Sequence, residues 1–349
     1  MVKSISRRTR TAERWWRREG TAKTGFRYIG LNGQPLTSAA ALKRIRALVI
    51  PPAWTNVHIS PDPERKIQVW GYDQAGRKQY RYSAGHVAQV DRRKWRRLLR
   101  VGRLLPRLRA VTNKHLRRSG LDREKVLATM VRLMCRAYFR AGSERYAVHN
   151  RTFGICTLTK KHVRIDRNDL VFAYTGKRRK DQRHVIAATP LVEVIEELMA
   201  QPGSRLFKYP AHANGHRSKK VMKAVTAGAV NRYLREILGE RLTSKDLRTF
   251  GGTVRAATIL ADLGPARSAA EAKRNVGLAC KLVAAELGNT PTICRKAYIH
   301  PAVLEAYQRS GRTVETPLRR SSREPVASEE PVGLYPEELS LIRFLERYG

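Results

Sequence analysis

The chain has 349 residues, 42% of them apolar, enough for one large or two modest domains around a buried core. Lys and Arg total 70 against 29 Asp and Glu, a net charge of +41 that makes a polyanion the expected partner, because each neutralised phosphate releases condensed counterions. A bilayer-spanning run, a secretory leader, a C-x-x-C pair among Cys135, Cys156, Cys280 and Cys294, and a G-x-x-x-x-G-K-[ST] loop are all missing, which excludes the usual signatures of membrane insertion, zinc binding, disulfide frameworks and nucleotide hydrolysis.

Residues 25–89 are rich in turns and short alternating runs, such as Lys66-Ile67-Gln68-Val69-Trp70 and Gln79-Tyr80-Arg81-Tyr82, and read as a small, mainly β domain. The basic segment 91–109 carries Trp95, Leu98, Leu99, Leu104 and Leu105 at helical spacing and leads into a second domain. Asp122 is an N-cap for a helix whose apolar positions Val126, Leu127, Met130, Val131, Met134, Ala137 and Tyr138 keep the 3.6 period; Gly142 would end it, with Arg140 in its last turn. From Phe153 the pattern turns to short runs at Ile155-Cys156-Thr157-Leu158, Val163-Arg164-Ile165, Leu170 to Tyr174 and Arg183 to Ile186. They predict a small antiparallel sheet with residues 175–182 at a hairpin tip.

Helical signals dominate afterwards. Thr189-Pro190 opens one helix, Thr226 and Gly239 bracket another, and Ser268 with Glu271 forms a capping box for a third that Gly288 closes. Thr290-Pro291 starts a short helix carrying Tyr298, and Pro301 interrupts the run. Beyond Gly311 the composition shifts to Ser, Glu, Pro and Arg, a flexible tail whose end, Leu339 to Tyr348, reads as a short amphipathic helix. The domains are therefore expected at 1–95, 96–312 and 313–349, in an α+β chain whose first domain is mainly β and whose second is mainly α with a small sheet.

Composition alone selects nothing from 70 basic residues and 13 tyrosines. Ordered motifs do. Ile50-Pro51-Pro52-Ala53-Trp54, Gly71-Tyr72-Asp73 and Gly76 to Tyr82 resemble the N-terminal domain of the bacterial and poxvirus-type type IB DNA topoisomerases. Further along, Arg140-Ala141-Gly142, Tyr146, Gly154 to Lys161, Tyr174-Thr175-Gly176-Lys177, Lys245 to Phe250 and Gly288-Asn289-Thr290-Pro291 to Tyr298 resemble the same family in the same order, across residues 20–312.

The resemblance implies that Tyr298 is the nucleophile, forming a 3′-phosphotyrosine and expelling a 5′-hydroxyl, with resealing by the reverse attack and no ATP. Arg140 and Arg248 would hold nonbridging oxygens, a task suited to a planar, permanently charged guanidinium. Lys177 would be the general acid for the departing oxygen. Asn289 stands where the family often has His; it can donate a hydrogen bond to the phosphorane but carries no charge. Lys78, Gln79, Tyr80, Tyr82 and Lys245 would contact DNA. The same likeness implies a clamp around duplex DNA, a monomer without metal or cofactor, and a cytoplasmic, nucleoid-associated location.

Each residue alone has a plainer reading. Tyr298 suits half-buried helix packing, Arg140 a helix C-terminal cation, Lys177 a solvated turn, Arg248 a surface cation, Asn289 a helix exit, and the strand tyrosines one packed face. A tyrosine recombinase would show His-x-Leu-Arg-His and a later His-x-x-Arg, where this chain has Lys245-Asp246-Leu247-Arg248-Thr249 and no matching second box. A noncatalytic basic DNA binder would tolerate Tyr298→Phe unchanged.

Overall fold

The computed structural model describes residues 15–187, 189–213, 216–315 and 331–349. The chain divides into two compact units between Lys94 and Trp95.

In the first unit, strands β1 (Trp16–Thr21), β2 (Gly25–Ile29), β3 (Thr55–Ile59), β4 (Ile67–Tyr72) and β5 (Lys78–Tyr82) form one antiparallel sheet in the order β2-β1-β3-β4-β5. Period-two alternation puts Val57, Ile59 and Val69 on one face, where they bury with Ile45 of helix α1 (Ala39–Ala47). That helix, capped by Ser38 accepting from the Ala41 N–H, has no counterpart in the sequence reading, because its Lys and Arg residues obscure a single buried Ile45. On the other face His58 stacks on Trp70 at a ring distance of 3.8 Å, and the Lys78 ammonium lies 3.8 Å from the Trp70 ring centre.

Helix α2 (Ala84–Leu116) runs across the division, and the part in the second unit buries Leu98, Val101, Leu105 and Leu108 at spacings of three and four. Helix α3 (Arg123–Ala137) is the centre of the second unit. Its residues from Lys125 to Met134 are all buried, as expected of a helix with neighbours on every side. Around it pack α5 (Thr189–Ala200), α6 (Ala227–Leu238) and α7 (Ser244–Leu263), followed by α8 (Ala269–Leu287), α9 (Pro291–Ala297) and α10 (Pro301–Ser310). A three-stranded antiparallel sheet, β6 (Val163–Asp166), β7 (Asp169–Thr175) and β8 (Asp181–Ala187), completes the expected architecture of this unit.

Four expectations need correction. Ile155–Thr157 is a buried 3₁₀ turn rather than a strand; full burial of a short apolar run mimics a strand in sequence. The pair β9 (Lys208–Ala213) and β10 (His216–Ala224) lies where only helices were expected. Its sequence signal is the hairpin dipeptide Asn214-Gly215, which flanking polar residues hid and which lies outside the described residues.

The third correction concerns Arg140. Helix α3 stops at Ala137, with Tyr138 in the left-handed region at φ 53°, so Arg140 lies beyond the helix and is not a last-turn cation. The steric cost of that conformation is offset because the Tyr138 ring fills a slot over Gly251, where a Cβ would sit 2.0 Å from Cε1.

The fourth is the tail. Helix α11 (Pro336–Tyr348; the short α4, Glu144–Asn150, precedes β6) buries Leu341, Ile342, Phe344 and Leu345 in the core of the second unit. Its Glu338 makes a two-pronged ion pair with Arg109 of α2 at 2.7 and 2.9 Å. The part of the expected tail at 331–349 is thus packed structure, while residues 316–330 lie outside the described residues. Among the described residues, no helix is long and apolar enough to cross a membrane.

Candidate active site

Two glycine-dependent junctions bring distant segments together in the second unit. After α3 the chain runs past Gly142 and Gly154, whose backbones approach so closely that a Cβ on Gly154 would lie 2.6 Å from the Arg140 carbonyl oxygen. That carbonyl accepts from the Ile155 N–H at 2.8 Å, and the Phe153 N–H donates to Thr175 O at 2.8 Å. Arg140 is thereby stitched beside the end of β7. The second junction is Gly288, which ends α8 at φ 60°, with the Asn289 N–H returning to Ala284 O at 2.9 Å. The exit aims Asn289 at Arg140.

Arg140 Nη2 donates to the Asn289 side-chain oxygen and, at 3.0 Å, to Gly288 O. Between β7 and β8 the tip is closed by the Gly176 N–H donating to Lys180 O at 2.7 Å, which leaves Lys177, Arg178 and Arg179 exposed on a tight loop. Arg178 and Arg179 both have positive φ, 65° and 56°. The Lys180 ammonium donates to Asn289 O at 3.1 Å.

Helix α7 supplies Arg248 from its interior, with 4% exposure. One turn on, Gly252 lets the chain after α9 come close, so that the Tyr298 carbonyl accepts from the Thr253 hydroxyl at 3.3 Å. Tyr298 is half-buried at the end of α9, and the Arg248 guanidinium lies 5.4 Å from its ring centre. Thr290, Pro291 and the bond from Ile293 N–H to the Thr290 hydroxyl at 3.3 Å start that helix as the sequence predicts.

A cavity of about 90 Å³ is lined by Arg140, Lys177, Arg178, Lys180, Gly288, Asn289, Thr290, Ile293 and Tyr298. Four of the five expected catalytic side chains therefore share one pocket, and the fifth, Arg248, adjoins Tyr298. Among the described residues, no carboxylate lines it. Burial, reinforced by the like charge of Arg140, holds Arg248 below the usual arginine value, with Tyr298 pulling the other way. Burial likewise lowers Arg140, again opposed by Tyr298.

Among the described residues, three buried side-chain nitrogens find no acceptor, and two of them are Arg248 Nε and Asn289 Nδ2. Burial pushes the neighbouring Cys294 thiol up to about 11, with a hydrogen bond from the Asn289 side chain pulling it down; sulfur is a weak acceptor, so Nδ2 keeps unmet capacity. Buried donors without acceptors are costly in an isolated fold and suit an anion delivered from outside.

Several participants had escaped the sequence reading. Arg178 and Lys180 looked like one charge run with Lys177, and only the loop closure separates their positions. Gln182 wedges between Gly176 at the hairpin tip and Gly288: a Cβ on Gly176 would meet its Cγ at 2.8 Å, and one on Gly288 its Oε1 at 2.2 Å. Behind the arginines, burial and then Arg248 lower His184 to about 4, and burial raises Tyr174 to about 12 against the pull of both arginines. The register Tyr174↔Gln182 and Phe172↔His184 places these three across β7 and β8.

The residues expected to contact DNA divide by position. Lys78, Tyr80 and Tyr82 alternate onto one face of edge strand β5, and the two tyrosines are 41% and 43% exposed with their rings stacked 6.1 Å apart. Gln79 falls on the opposite side, its amide donating to Asp73 Oδ2 at 2.9 Å. Lys245 is exposed on the first turn of α7, three positions before Arg248.

Sequence comparison gives the relatives of this arrangement. A family described as the eukaryotic DNA topoisomerase I catalytic core matches residues 77–324, and one described as the bacterial DNA topoisomerase IB N-terminal domain matches residues 25–73. The chain is similar to DNA topoisomerase 1B of Acanthamoeba polyphaga mimivirus, with 31% identity over 81% of this chain and 84% of that protein. It is also similar to DNA topoisomerase 1B of vaccinia virus, at 27% identity over 67% of this chain and 70% of the relative.

Proposed function

The chain belongs to the type IB family of DNA topoisomerases, and from that premise we propose a role for each side chain of the pocket. The enzyme relaxes supercoiled duplex DNA by cutting and resealing one strand, without ATP or metal. In the proposed scheme the Tyr298 oxygen attacks the scissile phosphorus and its proton passes to solvent. The bond from phosphorus to the 5′-oxygen breaks as that oxygen takes a proton from the Lys177 ammonium. One phosphodiester is exchanged for another, so the bond is conserved and the reverse attack reseals the strand.

Arg140 and Arg248 neutralise the nonbridging oxygens of the phosphorane, and Asn289 donates a hydrogen bond to one of them. The observation that carries this reading is the pair of buried, acceptorless donors, Arg248 Nε and Asn289 Nδ2, beside a cationic pocket that also holds a tyrosine. Lys78, Tyr80, Tyr82 and Lys245 are proposed DNA contacts by exposure and charge; Gln79 would first have to release Asp73. A clamp of the two units around duplex DNA, acting as a monomer in the cytoplasm at the nucleoid, fits the large positive charge.

Purified protein should relax positive and negative supercoils in EDTA without nucleotide. Tyr298→Phe should bind DNA, with affinity falling steeply as salt rises, yet leave no covalent adduct after denaturation. An adduct trapped with that variant would refute the assignment of the nucleophile.

A further inference from the structure

The tip between β7 and β8 presents an electrostatic difficulty. Lys177, Arg178, Arg179 and Lys180 follow one another, the first, second and fourth lining the cavity with Arg140, and like charges at such range repel. Two of the four hold left-handed backbone angles that non-glycine residues rarely adopt. A free tip under that repulsion would swing outward, taking Lys177 with it. Two features oppose this. The Lys180 carbonyl closes the loop by accepting from Gly176, and the Lys180 ammonium donates to the Asn289 carbonyl, 3.1 Å away, across to the segment leaving α8.

Asn289 is the residue whose side chain also receives Arg140. A continuous run of contacts thus joins the Lys177 loop, Lys180, Asn289 and Arg140. Gln182, wedged between Gly176 and Gly288, packs the same two segments together from below. The joint occurs at one point on the loop and at one point on the partner segment, so it fixes where Lys177 sits relative to the groups around the phosphorus.

We propose that Lys180 is a positioning residue that fastens the general-acid loop to the Asn289 segment, so that Lys177 meets the leaving 5′-oxygen in register with Arg140 and Asn289. The inference rests on the reading of Lys177 as the general acid. It predicts that losing Lys180 harms proton delivery and leaves phosphorane stabilisation and DNA binding intact. A Lys180 that merely anchored a DNA phosphate would instead affect binding.

The test uses the full chain and single-turnover cleavage of a duplex carrying one mapped cleavage site, with either oxygen or sulfur as the bridging 5′ atom. A 5′-thiolate is a good leaving group that departs without a proton, so it bypasses the acid. Lys180→Ala should cleave the all-oxygen duplex about 10- to 100-fold more slowly, short of the full ~10²–10⁴ of a general acid. It should cleave the sulfur duplex near the wild-type rate and bind both duplexes normally. Lys180→Arg, which keeps a donor, should recover most of the loss. Lys177→Ala/Lys180→Ala should be no slower than Lys177→Ala alone, since the two act through one group.

A wild-type rate for Lys180→Ala on oxygen DNA overturns the latch, as does an equal loss on both duplexes. Failure of sulfur to rescue Lys177→Ala itself would remove the general-acid reading and the latch with it. Rescue of Lys177→Ala without rescue of Lys180→Ala removes the latch alone.

Discussion

Arg140 donates a guanidinium N–H to the side-chain oxygen of Asn289, so the amide is held with its oxygen occupied and its Nδ2 without a nitrogen or oxygen acceptor among the described residues. In the proposed scheme that orientation leaves Asn289 able to donate to the substrate as well as to hold the arginine. Asn289→Ala should slow cleavage by about 10²-fold, the usual cost of one donor to a developing anion. Asn289→Asp retains an acceptor for Arg140 but removes the N–H and adds a negative charge, and should be at least as slow. Single-turnover rates decide the matter: an Asp variant close to wild type would mean that Asn289 serves only to hold Arg140.

Arg248 sits 4% exposed, with Nε unpaired and Arg140 near enough to lower its pKa further. Its Nη2 donates to Leu287 O at 3.0 Å, so the folded protein carries a buried charge of which Nε is left without an acceptor among the described residues. Arg248→Met should abolish measurable relaxation yet raise stability by roughly 1–2 kcal/mol, the gain from removing an uncompensated buried charge being partly cancelled by the bond to Leu287 O that is lost. Arg248→Lys should not restore activity, because an ammonium lacks the planar fork. Denaturant unfolding of Arg248→Met is the check, and a destabilised variant would show that the guanidinium is fully paired in the free enzyme.

How far the sequence foretold this arrangement depends on the range of the cause. Helix starts and stops written in local chemistry, such as Ser268, Gly288 and the Thr290-Pro291 pair, fall where capping rules put them. The end of α3 does not, because Tyr138 adopts its left-handed angle to fill a space over Gly251 on another helix, and no local signal encodes that vacancy. The five catalytic candidates came from ordered resemblance, whereas Lys180 and Gln182 act through contacts more than a hundred positions away in the chain. Burial of α11 was hidden for the same reason, since the partner of Glu338 is Arg109 on α2.

His184 lies against Phe139 and Tyr174, and burial followed by the charge of Arg248 lowers it from 6.5 to about 4. The unfolded chain therefore takes up this proton first as pH falls. Its contribution is whole above pH 6.5 and is lost progressively toward pH 4, by up to about 3 kcal/mol. Burial lowers His58, His115 and His162 as well, so the wild type has several contributions of the same sign. His184→Phe keeps an aromatic ring there and should lose about 2–3 kcal/mol less than wild type between pH 7 and pH 4.5 in urea unfolding. Parallel losses in the two proteins would show that His184 is protonated in the fold.

The pair Arg109 and Glu338 is 6% and 12% exposed, bidentate, and joined by a further bond from Arg109 to Gly333 O at 2.6 Å, with the guanidinium 4.3 Å from the Tyr335 ring centre. It sits where α11 meets α2, next to apolar contact between Ile342 and Gly102 so close that a Cβ there would lie 2.8 Å from the Ile342 side chain. Breaking one half leaves a buried charge, so Arg109→Met should cost about 3–5 kcal/mol. Replacing both, Arg109→Met with Glu338→Leu, removes the stranded carboxylate and should cost much less, the remainder being Arg109's bond to Gly333 O and Glu338's bond to the Tyr335 N–H at 2.9 Å. Wild-type melting temperatures for both the single and the double variant would show that α11 is held by its apolar face alone. In that case trimming Leu341, Phe344 and Leu345 to Ala would be the change that detaches it, at a cost of about 2–5 kcal/mol for each buried side chain.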